Sequence, residues 1–343
     1  MSKPGVVVML ALTAPALADQ SWEALELEHP RHGFVSLQAP ERWEDGLIVG
    51  NGTEGVLISG SPRRQSYSIG HEWLFEPRTP PHPRVALGNH MAAYREWALA
   101  GRGDEATKHA ARLGREMGFP YIFWTNPMVP AGSLQIWSLD DGRVTASARS
   151  VDWQRGEATT AWQSGGHVFH SRCFASRADN LVAIRLASPT GGKINVKLKL
   201  ARLIDPDKVA GDTKKDDGVT ASAAWLTLAR DYHLEKPWPG AVNGYAVAAR
   251  LVRSGGSAEA VDGWTHIRNA DRLVVLLRFA LCRGRPYDPK SVDGLKGSLS
   301  GLDADYERLA ARHAKAHGEL FGRVRLRLGG DARPMQSSEA LLA

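Results

Sequence analysis

The stretch Gly46-Leu-Ile-Val-Gly-Asn-Gly-Thr-Glu-Gly-Val-Leu-Ile-Ser-Gly60 contains Gly50-Asn-Gly52-Thr-Glu-Gly55, a literal G-x-G-x-x-G. In a dinucleotide-binding fold the glycine turn leads into a helix, whose first N–H groups meet the pyrophosphate. Here Gly55 leads into Val56-Leu-Ile-Ser-Gly60-Ser-Pro62, which is branched, then broken by glycine and proline. Such a run does not start a helix. Leu47-Ile-Val49 before it is strand-like, and Asn51-Gly52 is a tight-turn dipeptide. The stretch therefore predicts a β-hairpin with its turn at Asn51-Gly52 and extended backbone over Val56–Ser61, and it argues against dinucleotide binding.

Outward from this hairpin the chain keeps a strand character. Period-two or apolar runs recur at 144–153, 159–163, 167–175, 181–186, 193–200, 225–229, 245–252 and 272–280, with Gly, Asp, Asn and Pro between many of them. That pattern predicts a mostly β chain, a large antiparallel two-sheet sandwich with successive strands as hairpin neighbours. Two short helical runs, 92–100 and 104–117, flank Gly101-Arg-Gly103, with Asp104 placed to cap the second. Asp303–Phe321 has apolar residues at helical spacing, so Leu309, Ala316 and Leu320 should meet the sandwich or another domain. A further strand is expected over Arg323–Leu328, and an exposed loop over Asp205–Gly218.

The bulk composition excludes several classes. The chain has 343 residues and a formal charge of +6, but its basic residues fall in short scattered clusters, at Arg63-Arg64, Arg283–Arg285 and Arg323–Arg327. Nucleic-acid binders concentrate such charge in a stripe, so no nucleic-acid partner is expected. Lys3, the apolar run Gly5–Ala18 and the Ala16-Leu-Ala18 ending read as a secretory signal over residues 1–18. A periplasmic or secreted location follows, and no later segment is long and apolar enough to span a membrane. Cys173 and Cys282 sit in apolar stretches and read as buried thiols, with a disulfide between them left open.

Here the sequence resembles a known family. Gly46–Gly60 followed by Tyr67-Ser-Ile-Gly-His-Glu-Trp-Leu-Phe75 is similar to the N-terminal domain of glycoside hydrolase family 95, the α-L-fucosidases. Pro130–Leu134, Phe169–Leu186, Asn269–Leu277 and Tyr306–Arg327 match in the same order. Ser133 stands where the family usually has Asp, and Gln336-Ser-Ser-Glu-Ala-Leu341 matches the family pattern only loosely. The resemblance implies a galactose-mutarotase-like super-sandwich with a short helical insertion near 92–118, spanning 19–300. It also implies a C-terminal linker helix and strand over 301–343, leading toward a helical catalytic barrel absent from the sequence. The family is inverting, with its acid and base on that barrel, so no catalytic residue is assigned, and neither cofactor nor metal is expected. The implied substrate is a fucosylated oligosaccharide or glycan.

Five residues are substrate-proximal candidates. His71, Glu72 and Trp73 combine a hydrogen-bonding ring, a carboxylate and an indole, which suits sugar hydroxyls and also suits a packing cluster at a domain interface. Trp124 and Asn126 lie in a loop-like stretch that could line a groove. Of the 11 tryptophans, Trp137, Trp153, Trp162 and Trp225 fall in strands and are expected in the core. His313 and His317 share a helix face and suit an interface or solvent better than a metal. Asp140-Asp141-Gly142 reads as a hairpin turn rather than a calcium loop. Two other functions compete with a fucosidase module: a free-standing carbohydrate-binding or scaffold sandwich, and an epimerase-like enzyme using His167 or His170.

Overall fold

The computed structural model describes residues 22–78, 86–118, 126–202, 218–234, 237–326 and 336–342. The signal stretch 1–18, Trp124, most of the Asp205–Gly218 loop and the end of the 323–328 strand lie outside the described residues.

Sixteen strands are described: β1 Gly33–Ser36, β2 Leu47–Gly50, β3 Glu54–Ser61, β4 Arg64–His71, β5 Gly132–Ser138, β6 Val144–Asp152, β7 Glu157–Ser164 and β8 His167–Ser176, then β9 Leu181–Ala187, β10 Ile194–Ala201, β11 Thr220–Ala221, β12 Trp225–Asp231, β13 Val242–Ser254, β14 Ser257–Val261, β15 Trp264–Ala270 and β16 Arg272–Arg283. They form two antiparallel sheets. One has nine strands in the order β1-β6-β7-β8-β9-β16-β13-β12-β11, and the other seven, β14-β15-β10-β5-β4-β3-β2. The expected two-sheet super-sandwich is the observed fold. Many neighbours are sequential hairpins, but β9 pairs with β16 and β5 with β10, so the chain passes between sheets.

The two sheets face each other across one core. Val56, Tyr67, Ile69, Leu134 and Leu198 of the smaller sheet meet Ile184, Leu186, Val247, Leu273 and Val275 of the larger. Between these inward residues the pleat turns every other side chain away. In the smaller sheet those outward positions are polar, half-exposed or, at Ile48, exposed to solvent. In the middle of the larger sheet they are apolar too: Phe174, Ala183, Ala246, Ala248, Val274 and Leu276 bury under two helices. These are α3, Ser291–Ser300, and α4, Tyr306–Phe321, which contribute Leu295, Leu299, Tyr306 and Leu309. (The pair is numbered after α1 Met91–Leu99 and α2 Gly103–Glu116, the hairpin inserted between β4 and β5.) A sheet covered on both faces needs unbroken apolar strands rather than alternation. Leu273-Val-Val-Leu-Leu277 is such a run.

Helix α4 is fastened as well as packed. Asp305 caps it, its carboxylate accepting the N–H groups of Glu307 and Arg308. Arg172 on β8 donates from Nε and Nη2 to the two oxygens of Glu157, both at 3.0 Å, and from Nη1 to Glu307 at 2.7 Å. The Tyr306 hydroxyl donates to Glu157 Oε1 at 2.7 Å. His313 is buried, its ring flat on Phe174 at 5.0 Å, and the N–H of Arg177 donates to its Nδ1. The interface expected for this helix face is present at His313 and Leu309. Ala316 is half-buried and Leu320 is exposed.

Several expectations are corrected. Asp104 lies in the first turn of α2 rather than capping it, because the helix begins one residue earlier, at Gly103. Residues 323–326 form no strand and pair with neither sheet, and Val324 and Leu326 stand in solvent. Asp140-Asp141-Gly142 is not a hairpin turn: it connects β5 of one sheet to β6 of the other. Trp153 is 51% exposed beyond the end of β6. Trp137, Trp162 and Trp225 are half-buried rather than core, because the pleat directs Trp137 outward, while Trp162 sits where the sandwich opens. There it helps line an inter-sheet cleft of about 350 Å³ with Phe169, whose ring stacks on it at 5.6 Å. Cys173 and Cys282 are both buried free thiols, which settles the open disulfide question.

Candidate functional site at the sandwich rim

The glycine motif forms a hairpin, as its residues dictate, but the turn is wider than Asn51-Gly52. Strands β2 and β3 part after the Gly50–Gly55 pair, leaving Asn51, Gly52 and Thr53 outside both. Only Gly52 takes positive φ, at 99°. Asn51 shapes the turn through its side chain: Oδ1 accepts the N–H groups of Thr53 at 2.9 Å and Glu54 at 2.7 Å. Its Nδ2 donates to the Ser176 carbonyl at 3.1 Å and to Asn180 Oδ1 at 3.3 Å, in the β8–β9 turn of the other sheet. One buried amide therefore holds two loops from two sheets together.

Glu54 makes a second tie. It is 3% exposed and accepts a hydrogen bond from the backbone of Phe279 on β16. Its Oε2 is buried with no hydrogen-bond partner. Burial pushes its carboxyl up to about 7, against the pull of the Arg278 guanidinium and the Phe279 N–H. A buried carboxyl with a free oxygen is stabilised by holding its proton.

Glu54 pairs across the strands with His71. The His71 ring stacks on Phe279 at 4.9 Å, and Phe279 stacks on Tyr245 at 5.5 Å. The N–H of Trp73 donates to His71 Nδ1 at 3.1 Å. An accepting Nδ1 places the neutral ring's proton on Nε2. Burial lowers the His71 pKa below its usual range, opposed by Glu72, which keeps the ring neutral near neutral pH.

Beyond His71 the chain turns outward. The Glu72 N–H donates to the Thr53 carbonyl at 2.9 Å, and the Glu72 side chain is exposed. Leu74 is fully buried and anchors the turn, while Trp73 is 45% exposed. The Arg283 guanidinium lies 4.0 Å over the Trp73 ring, and its Nε donates to the Gly240 carbonyl. Segments 74–76 and 127–129 then run side by side, with Glu76 N–H to Pro127 O and Val129 N–H to Leu74 O. Asn126 accepts the Arg78 N–H at 2.9 Å, at the far end of this extension from Trp73.

The structure thus gathers His71, Glu72 and Trp73 on one rim and places Asn126 farther along the same extension. Glu54, Arg278 and Arg283 join that rim and were not among the sequence candidates. Glu54 stood inside the glycine motif, and hairpin register alone pairs it with His71. Nothing local in the sequence brings Arg278 and Arg283 there. Of the epimerase-type histidines, His170 Nε2 is taken by the Leu25 carbonyl at 2.7 Å on the outer face, and exposed His167 lies 3.1 Å from the Thr190 carbonyl.

What the rim can do chemically is bounded by these groups. It offers an aromatic face, exposed charges of both signs and a neutral imidazole, on backbone pinned by Asn51 and Glu54. That suits recognition of a polar, ring-bearing partner or the edge of another domain.

Comparison with known proteins bears on the whole sandwich. Residues 35–280 match the family described as glycosyl hydrolase family 65, N-terminal domain. No curated protein matches the chain. One similar solved structure is named for a kojibiose phosphorylase from the human microbiome, with 10% identity and a TM-score of 0.48. The likeness covers 86% of this chain but only 38% of that one, so the chain spans well under half of its length. The family established is therefore the N-terminal sandwich of a glycoside hydrolase, under number 65 where the sequence resemblance suggested 95. With most of its length matched, the chain belongs to the glycosyl hydrolase family 65 N-terminal domain family.

Proposed function

We propose that the chain is the N-terminal sandwich of an exported, α-L-fucosidase-type glycoside hydrolase acting on fucosylated glycans. In this reading it works with a helical catalytic domain, holds no catalytic acid or base of its own, and is inert alone. The rim of His71, Glu72, Trp73 and Arg283 forms one edge of the substrate cleft or the seat for that domain, with Asn126 along its extension. One observation carries the reading: the rim is braced from inside. Asn51 and Glu54 tie it to the opposite sheet, while Trp73 and Glu72 project beyond it. A surface braced this way keeps exposed groups in register for a partner. The sandwich family supports a glycan substrate, the resemblance of Gly46–Phe75 supports its being fucosylated, and the Lys3–Ala18 pattern supports export.

The test is fucose release from a fucosylated oligosaccharide, by this chain and by the longer product of its reading frame. Release by the longer protein but not by the chain is expected. Trp73→Ala in the longer protein should lower kcat/KM by about tenfold, equivalent to about 1.4 kcal/mol. Fucose release by the chain alone, or a longer helical product that acts on other glycosides only, overturns the proposal.

A further inference from the structure

We propose that the outer face of the seven-stranded sheet binds an anionic polysaccharide, whose sugar rings carry carboxylate or sulfate. This site lies on a different surface from the rim and does not depend on the reading given to it.

Strand register assembles the face. Arg64, Trp137, Lys197 and His266 stand side by side on β4, β5, β10 and β15, ending at Glu259 on β14. The next row carries Ser66, Gln135 and Lys199, whose Nζ reaches the ring of Trp264 at the start of β15. These residues alternate with the core residues Ile136, Leu198 and Ile267, so they project away from the sandwich. The two indoles lean together across β10, with centroids 4.7 Å apart. Lys197 Nζ lies 5.2 Å from the Trp137 ring and 4.7 Å from Trp264, Lys199 Nζ lies 4.4 Å from Trp264, and the Arg64 guanidinium lies 5.1 Å from Trp137.

The charge balance identifies the occupant. Arg64, Lys197 and Lys199 make no ion pair among the described residues. The row's one carboxylate, Glu259, sits at the sheet edge with Arg268 at 3.8 Å. Three cations therefore converge on one aromatic pair with no acid among the described residues to neutralise them. Cations held over indole faces are weakly tethered at an exposed site, and long lysine stems can swing to meet an anion. An uncharged apolar partner would leave the three charges unpaired, which disfavours it. A polyanion of sugar rings satisfies both parts. Its charges pair with Lys197, Lys199 and Arg64, its C–H faces lie on the indoles, and its hydroxyls reach Gln135 and Ser66.

The experiment is native affinity electrophoresis of the chain through gels holding polygalacturonate, dextran sulfate or neutral dextran, with a single-stranded oligothymidylate as competitor. Retardation by one or both acidic polymers and none by dextran is expected, and the two gels separate carboxylate from sulfate recognition. The Lys197→Gln, Lys199→Gln double variant should weaken retardation by about tenfold, and Trp264→Ala by about fivefold, with thermal melting confirming that each variant is folded. Trp153→Ala, at an exposed indole beyond the end of β6 in the other sheet, should leave retardation unchanged. The proposal is overturned by equal retardation of the lysine double variant. It is also overturned by retardation that Trp264→Ala leaves intact, which marks unspecific charge attraction, or by displacement showing tighter binding to the oligonucleotide.

Discussion

Replacing Glu54 by Gln should make the protein more stable in mild alkali, an unusual direction for a buried, hydrogen-bonded residue. The carboxyl is 3% exposed, one oxygen has no partner, and burial raises its pKa from 4.5 to about 7. The folded state therefore holds this proton more tightly than the unfolded chain. The resulting stability is fully present below about pH 4.5, falls as pH rises toward 7, and is gone above it. A shift of that size corresponds to about 3 kcal/mol, at 1.36 kcal/mol per unit. Glutamine keeps an oxygen for the Phe279 N–H and never ionises. The variant should thus match the parent near pH 4.5 and exceed it by about 3 kcal/mol near pH 8. His71 works the other way: its lowered pKa removes stability as pH falls through the histidine range. Because His71 is present in both proteins, the difference between them isolates Glu54. The assay is urea unfolding followed by tryptophan fluorescence at closely spaced pH values. Curves for the two proteins that run parallel from about pH 5 to 8 would refute the buried-proton argument.

Two other perturbations test how the sandwich is held. Asn51→Ala removes four hydrogen bonds, two within the turn and two to the β8–β9 loop, and should cost about 2–3 kcal/mol in urea unfolding. Leu309→Ala opens a cavity where α4 meets the nine-stranded sheet and should cost about 3 kcal/mol, with amide exchange in α4 accelerating more than in β10.

Much of the fold was legible because its causes are local. Period-two runs marked β6 to β10, and the branched residues after Gly55 kept that segment extended. Several elements escaped, and two of them show separate physical reasons. The β14–β15 hairpin turns at Asp262-Gly263, both at positive φ, but its strands Ser257-Ala-Glu-Ala-Val261 and Trp264-Thr-His-Ile-Arg-Asn-Ala270 carry few large apolar side chains to mark them. Helix α3 contains Gly294, Gly297 and three serines, so its propensity is poor and its Val292, Leu295 and Leu299 stripe becomes helical only against β13 and β16. The tryptophans misled because size suggests burial, whereas the pleat decides which way each one points. At the rim, His71, Glu72 and Trp73 could be picked out from residue type. Arg278 and Arg283 could not, since their arrival depends on β16 lying beside β9 and β13, a pairing between distant parts of the chain.

The unequal covering of the two sheets decides where this scaffold can be rebuilt. In the middle of β9, β13 and β16, neighbouring side chains on either side are enclosed, so a randomised library there would yield mostly unfolded clones. Along β4, β5 and β10 every second position other than the enclosed Ser133 is at least partly exposed, and a library restricted to Arg64, Ser66, Gln135, Trp137, Lys197 and Lys199 would sample new surfaces while the opposite side of each strand stays intact.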